Sequence, residues 1–483
     1  MLSVSSATTE SLFELLKIKL REYDMNFENC IGFSSDGAAS MVGSKNSVWT
    51  RIKDVAPNCT QMKCVCHSLA LCIQHAFEKL PSSLGFLISE IPLWFSNSNL
   101  RREEYKSLFE TLNPHSETEC RYQAPLPFQK ASKTRWLVKG KVMLNILVNW
   151  EELKAYFAAS ENTGQTNTKY KARLLKEMLY DKINYLYFVF ATPIIRDFEA
   201  VNAMFQATKT DPYKLSNELE MLRKTLCNRI YNYDGTEKVT EEIDFGAKFK
   251  QEILRHLNDF KVRQHAVEEE NKVLDMKKRC RMFIVEAIYQ LRFRLCDATE
   301  VFKNLALLNP ATVLSQITKG SFSDLPMLHL AQNNLDEIEQ QYRKINLTDW
   351  RMENVFENNE IPEDTVKFWF GIYHHQNFKE LATYALNCLV TPASNAVVER
   401  LFSLVTSVKT KPRNRMQLDL LDAIIRIRAH LLENSICCKD LCITPRMLNN
   451  FKSEILYSYG STTSGASTSK QSLEEQEDLA MFL

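Results

Sequence analysis

A chain of 483 residues with 60 Lys and Arg against 59 Asp and Glu carries a formal net charge of +1, so it has no global pull toward nucleic acid or a membrane surface, and any such contact must come from local patches. Charged residues make up 25% and hydrophobic ones 45%, ordinary for a folded protein of about two to four domains, or one domain with a large insertion. Thirteen cysteines in mostly apolar contexts read as reduced thiols, only 12 glycines favour a mainly helical chain, and no apolar run has membrane-spanning length.

Residues 1–6 hold no capped element. Between Thr8 and Tyr23, Leu12, Leu15, Leu16 and Leu20 form a helical stripe. Cys30 to Phe33 is a short apolar run closed by Ser34-Ser35-Asp36-Gly37, which predicts a buried strand. Asp36 would stand at its carboxyl end, where sheets present side chains to ligands, and it suits equally well a cap on the following turn. Val48, Ile52 and Val55 mark the next helix. Met62 to Cys66 reads as a second strand passing into a helix from His67 to Leu80. Cys64 and His67 have the spacing of a metal-ligand pair, but no second CxxC or HxxxH closes a zinc site, and buried thiols with a hydrogen-bonded imidazole account for them too.

Between Phe128 and Lys141, Lys130, Lys133, Arg135, Lys139 and Lys141 surround Trp136. A ring among cations suits phosphate contact with base stacking, and equally a Trp anchoring a helix start. From there to about Tyr384 the pattern is almost wholly helical, including a stripe of Ile146, Trp150, Leu153 and Phe157 and a long buried helix over 277–308. Residues 161–168 and 231–240 read as loops, and the Ser/Thr-rich, then acidic, stretch 460–477 as disordered.

Thr391 to Leu432 is the most organised stretch. Val397, Leu401, Leu404 and Val408 fall on one line of a helix entered from Thr391 or Ser394, with Glu399, Ser403 and Thr406 on another. Lys409, Lys411, Arg413 and Arg415 cluster around Pro412. A second helix follows with a stripe of Leu420, Ile424, Ile427 and Leu431, widened by Leu421, Ile425 and Leu432, enough for a core helix or a partner-facing seam.

Read in order, SSDGAASM, the Cys64/His67 pair, TRW at Thr134 to Trp136, and SNAVVERLFS at Ser394 to Ser403 followed by KPRNRM and an apolar helix resemble the hAT superfamily of DNA transposases. They resemble equally the host proteins derived from it of the zinc-finger BED and zinc-finger MYM kind, over most of the chain from about Thr8 to Leu432. The resemblance implies an α/β fold with dominant helical content, an RNase H-like core interrupted by a large all-α insertion. Its first part would be residues 1–60 and the insertion 61–384. The second part, with the C-terminal dimerisation region, would be 385–455, and 456–483 a disordered tail.

Active members of the superfamily hold two divalent cations, usually Mg²⁺, in an Asp-Asp-Glu triad that flanks the scissile phosphate. By position, Asp36 matches the second carboxylate and Glu399 the third. Trp136 matches the aromatic residue that stacks on a flipped base, and Arg135 beside it would meet phosphate, as would Lys409, Lys411, Arg413 and Arg415. Cys64 and His67 match a structural pair near the active site, and Leu420, Ile424, Ile427 and Leu431 the dimerisation helix. The first Asp belongs on a strand upstream of the Thr8 helix, before this sequence begins, and neither Glu10 nor Asp24 is placed to replace it.

The expectation is therefore an N-terminally truncated, transposase-derived protein that is not an enzyme and holds no metal or cofactor. It would act in the nucleus, with the cytoplasm as the second compartment, as a homodimer or a heterodimer with related hAT-derived proteins, touching DNA and no membrane. The alternative is a fragment of an active transposase using Mg²⁺ for two-metal strand transfer.

Overall fold

The computed structural model describes residues 6, 8–113, 128, 138–161, 166–207, 211–261, 266–392, 394–440 and 443–450. Of the described residues 73% are helical, so helix dominates as expected, and the sheet among them has two strands of four residues each. Two compact units divide the chain, a large one over Ser6–Asn395 and a small one from Ala396 onward. Among the described residues no helix is long and apolar enough to cross a membrane.

The large unit opens with α1 (Thr9–Arg21), whose N-cap Thr8 accepts a hydrogen bond from Ser11 N at 3.3 Å. Phe13 is the helix's buried residue and stacks on Phe27, 5.0 Å between centroids. Cys30 N donates to Phe27 O at 2.8 Å, closing a turn over Phe27–Asn29. That turn uses up the head of the apolar run, so β1 (Gly32–Ser35) starts two residues later than the run predicts. After α2 (Val48–Val55), held at its start by a Ser47/Thr50 capping box, the chain returns as β2 (Thr60–Lys63), parallel to β1 with Gly32 opposite Thr60 and Ser35 opposite Lys63. Phe13, Phe27, Val48, Ile52, Ala56 and Cys59 form a small core of their own.

β2 is shorter than the sequence suggests because Cys64 turns the chain. Its N–H still bonds Ser35 O at 2.8 Å, while its backbone is already the N-cap of α3 (Val65–Phe77). From α3 onward the unit is helical. The succession is α4 (Ser82–Ser96), α5 (Asn99–Leu112), α6 (Val138–Val148), α7 (Trp150–Ser160), α8 (Thr166–Tyr180), α9 (Lys182–Gln206) and α10 (Pro212–Ile230). Then come α11 (Ala247–Lys261), α12 (Ala266–Leu305), α13 (Leu335–Lys344), α14 (Thr365–Tyr373) and α15 (Lys379–Leu389). α9 buries Leu186, Phe188, Phe190, Ile194 and Phe198 around its circumference, the mark of a helix enclosed by others. Phe190 meets the rings of Phe249 and Phe283, which ties α9 to α11 and α12. α12, 40 residues and so roughly 60 Å long, begins eleven residues earlier than the periodicity indicates and packs along α3 and α10.

The end of the large unit comes back to the sheet. A Cβ on Gly32 would lie 2.7 Å from Pro392 Cδ, so glycine there lets residues 391–392 close on β1.

The small unit is a helical hairpin, α16 (Ala396–Val408) and α17 (Leu418–Glu433), joined through a turn at Lys411–Arg413. Val408, Leu421 and Ile425 are its buried centre, with Leu401, Leu404, Val405, Met416 and Ile424 packed around them.

Candidate functional site

Three places carry the residues singled out by the sequence. At the first, β1 ends in Ser35 and Asp36 follows, exposed, at the carboxyl end of the strand. Its Oδ1 accepts from Ala38 N at 3.2 Å, so the carboxylate caps the turn that leads away from the sheet. The turn-cap reading of Asp36 describes this bond, and the residue stands at the strand end where the sequence places it.

The second is the start of α3. Cys64 is buried and His67, one turn on, is exposed. Cys64 Sγ lies 2.6 Å from Asn395 Oδ1, and Ser394 Oγ donates to Phe205 O at 2.8 Å, so the last residues of the large unit are pinned against α3 and the end of α9. The Cys66 thiol hydrogen-bonds to Cys64 and draws it down to about 7, while the same bond and burial push Cys66 up. Cys64 thus meets a part of the large unit that is distant from it in sequence. Among the described residues no three His, Cys, Asp or Glu side chains gather as a metal set.

The third is the small unit. Glu399 lies in the first turn of α16, exposed, and its carbonyl accepts the Ser403 hydroxyl at 3.1 Å. The Thr406 hydroxyl donates to Phe402 O at 2.9 Å, so the polar line of the helix is folded back on its own backbone. Asp36 belongs to the large unit and Glu399 to the small one. Lys409, Arg413 and Arg415 are exposed around the interhelical turn. On α17 the predicted stripe divides. Leu421 and Ile425, the widening positions, face the hairpin, whereas Leu420 is 55% and Ile427 56% exposed, with Ile424 and Leu431 half-buried between them. Val397, Val398 and Phe402 on α16 and Leu418 and Leu432 on α17 are exposed as well.

Arg135, Trp136 and the side chain of Lys411 lie outside the described residues. Just beyond the first two, Lys139 is pressed against the protein, where burial lowers its pKa. Lys141 N donates to Glu199 Oε1 at 3.2 Å, which caps the start of α6 with a carboxylate from α9. Gly140 makes that possible, since a Cβ there would run into the Glu199 carboxylate.

Residues 346–431 match the family model of the hAT family C-terminal dimerisation region. The match covers α14 and α15 of the large unit and both helices of the hairpin, and it supports a transposase-related, dimerising protein. The matched region begins at residue 346. Its earlier part includes Val366 and Phe370, exposed one turn apart on α14, and Val390 after α15. Sequence reasoning passed over these because α14 was read only as one more helical stretch. The signal was present in the spacing of Val366 and Phe370 against the buried Phe368, Trp369 and Ile372.

Proposed function

We propose that the chain is a self-associating, transposase-derived protein whose α16–α17 hairpin is the contact surface, and that it works through this contact rather than by cutting DNA. One observation carries the reading. Within the matched region the hairpin turns more large apolar side chains to solvent (Val397, Val398, Phe402, Leu418, Leu420 and Ile427) than it buries at its own centre (Val408, Leu421 and Ile425). Exposed apolar surface of this kind marks an interface, and a centre of three residues is thin support for a helical pair. A second copy, paired two-fold so that the same face meets itself, is the simplest partner; a related hAT-derived chain is the heterodimeric version. Light scattering on the full chain tests it. Twice the 56.0 kDa chain mass is expected at micromolar concentration, and a single-chain mass at tens of micromolar overturns it.

The finer reading is of a relative of the zinc-finger BED and MYM host proteins. It takes β1 and β2 as part of an RNase H-like core and α3 to α15 as its helical insertion. The parallel pairing, Asp36 at the strand end, and the return of residues 391–395 to β1 and α3 support it. Catalytic silence rests on the resemblance, which matches two carboxylates in this sequence, Asp36 and Glu399. Mg²⁺-dependent DNA cleavage that disappears in both Asp36→Ala and Glu399→Ala is the result that removes it. The exposed Lys409, Arg413 and Arg415 favour DNA as an additional partner, and with it a nuclear place of action.

A further inference from the structure

We infer that Cys30 and Cys59 form an oxidation-sensitive dithiol, a site at which a hydroperoxide joins the two thiols into a disulfide that staples the head of β1 to the head of β2. Cys59 donates to Cys30, with 3.6 Å between the sulfurs. The next backbone rung, Thr60 N to Ile31 O at 2.9 Å, fixes both stems immediately beside them. The sulfurs need close only to about 2.05 Å, which side-chain rotation supplies without moving a strand.

The two thiols are unequal. Cys59 is 7% exposed and sits in the small core with Val48 and Ile52, whereas Cys30 is half-buried at its edge and open to a small oxidant. The hydrogen bond from Cys59 lowers Cys30 to about 7, while Cys59 is pushed up by the same bond and by burial. Cys30 is therefore the attacking group and Cys59 the resolving one. The Cys30 thiolate attacks the terminal peroxide oxygen, the O–O bond breaks, and the leaving alkoxide or hydroxide takes up the proton that Cys30 gave up. This leaves a sulfenic acid. Cys59 then attacks the Cys30 sulfur, the S–O bond breaks, and the hydroxyl leaves as water with the Cys59 proton. Two thiols lose two electrons and the hydroperoxide gains them, giving one disulfide, one alcohol (or water) and one water. The staple closes the strand that leads into Asp36, so the oxidation state of this pair sets how firmly that strand is held.

The sequence makes the product easy to read. Tryptic cleavage at Arg21, Lys45, Lys53 and Lys63 places Cys30 alone in peptide 22–45 and Cys59 alone in peptide 54–63, with Cys64 and Cys66 in the next. The full chain is treated with hydrogen peroxide, remaining thiols are alkylated, and peptides are mapped by mass. Peptides 22–45 and 54–63 are expected joined, less two hydrogens, before the exposed Cys296 and Cys437 are consumed. The amides of Phe33 to Ser35 are expected to exchange more slowly afterwards, and to recover with dithiothreitol. Recovery of both peptides as alkylated thiols once Cys296 and Cys437 are oxidised overturns the inference. So does Cys30 found as an unjoined sulfinic acid, or joined peptides with unchanged exchange. Cys30→Ser and Cys59→Ser each abolish the joined product; a joined product surviving in either overturns it.

Discussion

Truncating the outward face of α17 separates a partner-facing seam from a core helix. Leu420 and Ile427 are 55% and 56% exposed, so a partner has about half of each side chain left to cover. Complete burial of such a side chain is worth about 1.5–3 kcal/mol, hence about 1 kcal/mol for the exposed half. Two positions on two protomers make four such terms, of which alanine keeps a part, leaving a loss of about 3 kcal/mol. At about 1.4 kcal/mol per tenfold, Leu420→Ala/Ile427→Ala should raise the dimer Kd about a hundredfold. Sedimentation over a concentration series reads this directly, with circular dichroism to show unchanged helix content. Leu421→Ala is the contrast: it is 1% exposed, and a cavity there costs about 2–5 kcal/mol of hairpin stability, so helix content falls with it. The reasoning fails if the double variant associates like the parent, or if it loses helix as Leu421→Ala does.

Other consequences are smaller. Gly140→Ala should displace the Glu199 carboxylate from Lys141 N and cost about 1 kcal/mol, as loss of a helix cap does, measured by urea unfolding. Burial raises the folded-state pKa of Glu199 against the pull of the Lys141 bond, so folding favours the neutral acid: that contribution is complete below the unfolded value and is lost as pH rises through the folded one. Glu199→Gln should therefore flatten stability against pH across that window, and an unchanged pH profile refutes this. Cys64→Ala and Asn395→Ala should be non-additive in a double-mutant cycle, with a coupling of about 0.5–1.5 kcal/mol, and additive losses would mean that the 2.6 Å contact carries nothing. If DNA is bound, neutralising Lys409, Arg413 and Arg415 should each lower the salt slope of log K by about one, read by fluorescence anisotropy; an unchanged slope excludes them from the interface.

Periodicity located the helices because their apolar faces are wide, but it could not assign the two faces of α17. Leu420, Ile424, Ile427 and Leu431 satisfy one helical stripe and Leu421, Ile425 and Leu432 its neighbour, one residue on. Only the packing of Leu421 and Ile425 with Val408 decides which looks inward. Strand ends were legible to within three residues and were displaced by local hydrogen bonds, Cys30 N to Phe27 O at the head of β1 and the Cys64 N-cap at the foot of β2. The contacts that fix the site region escaped because they join residues far apart in the chain. Cys64 meets Asn395, Glu199 meets Lys141 and Cys30 meets Cys59, and none of these has a local signature. A cysteine just ahead of each strand was the faint clue to the last of them.

If the hairpin draws much of its stability from its partner, its folding and its association are one event. The centre of Val408, Leu421 and Ile425 then opens mainly from the monomer, and protection of the α17 amides follows the monomer fraction. Well above the dissociation constant that fraction varies inversely with the square root of concentration, so a hundredfold dilution should speed exchange in α17 about tenfold. The amides of α9, enclosed by Phe249 and Phe283 in the large unit, should exchange at the same rate throughout. Exchange in α17 that ignores dilution would mean that the hairpin stands by itself, and its exposed leucines and isoleucines would then need another explanation.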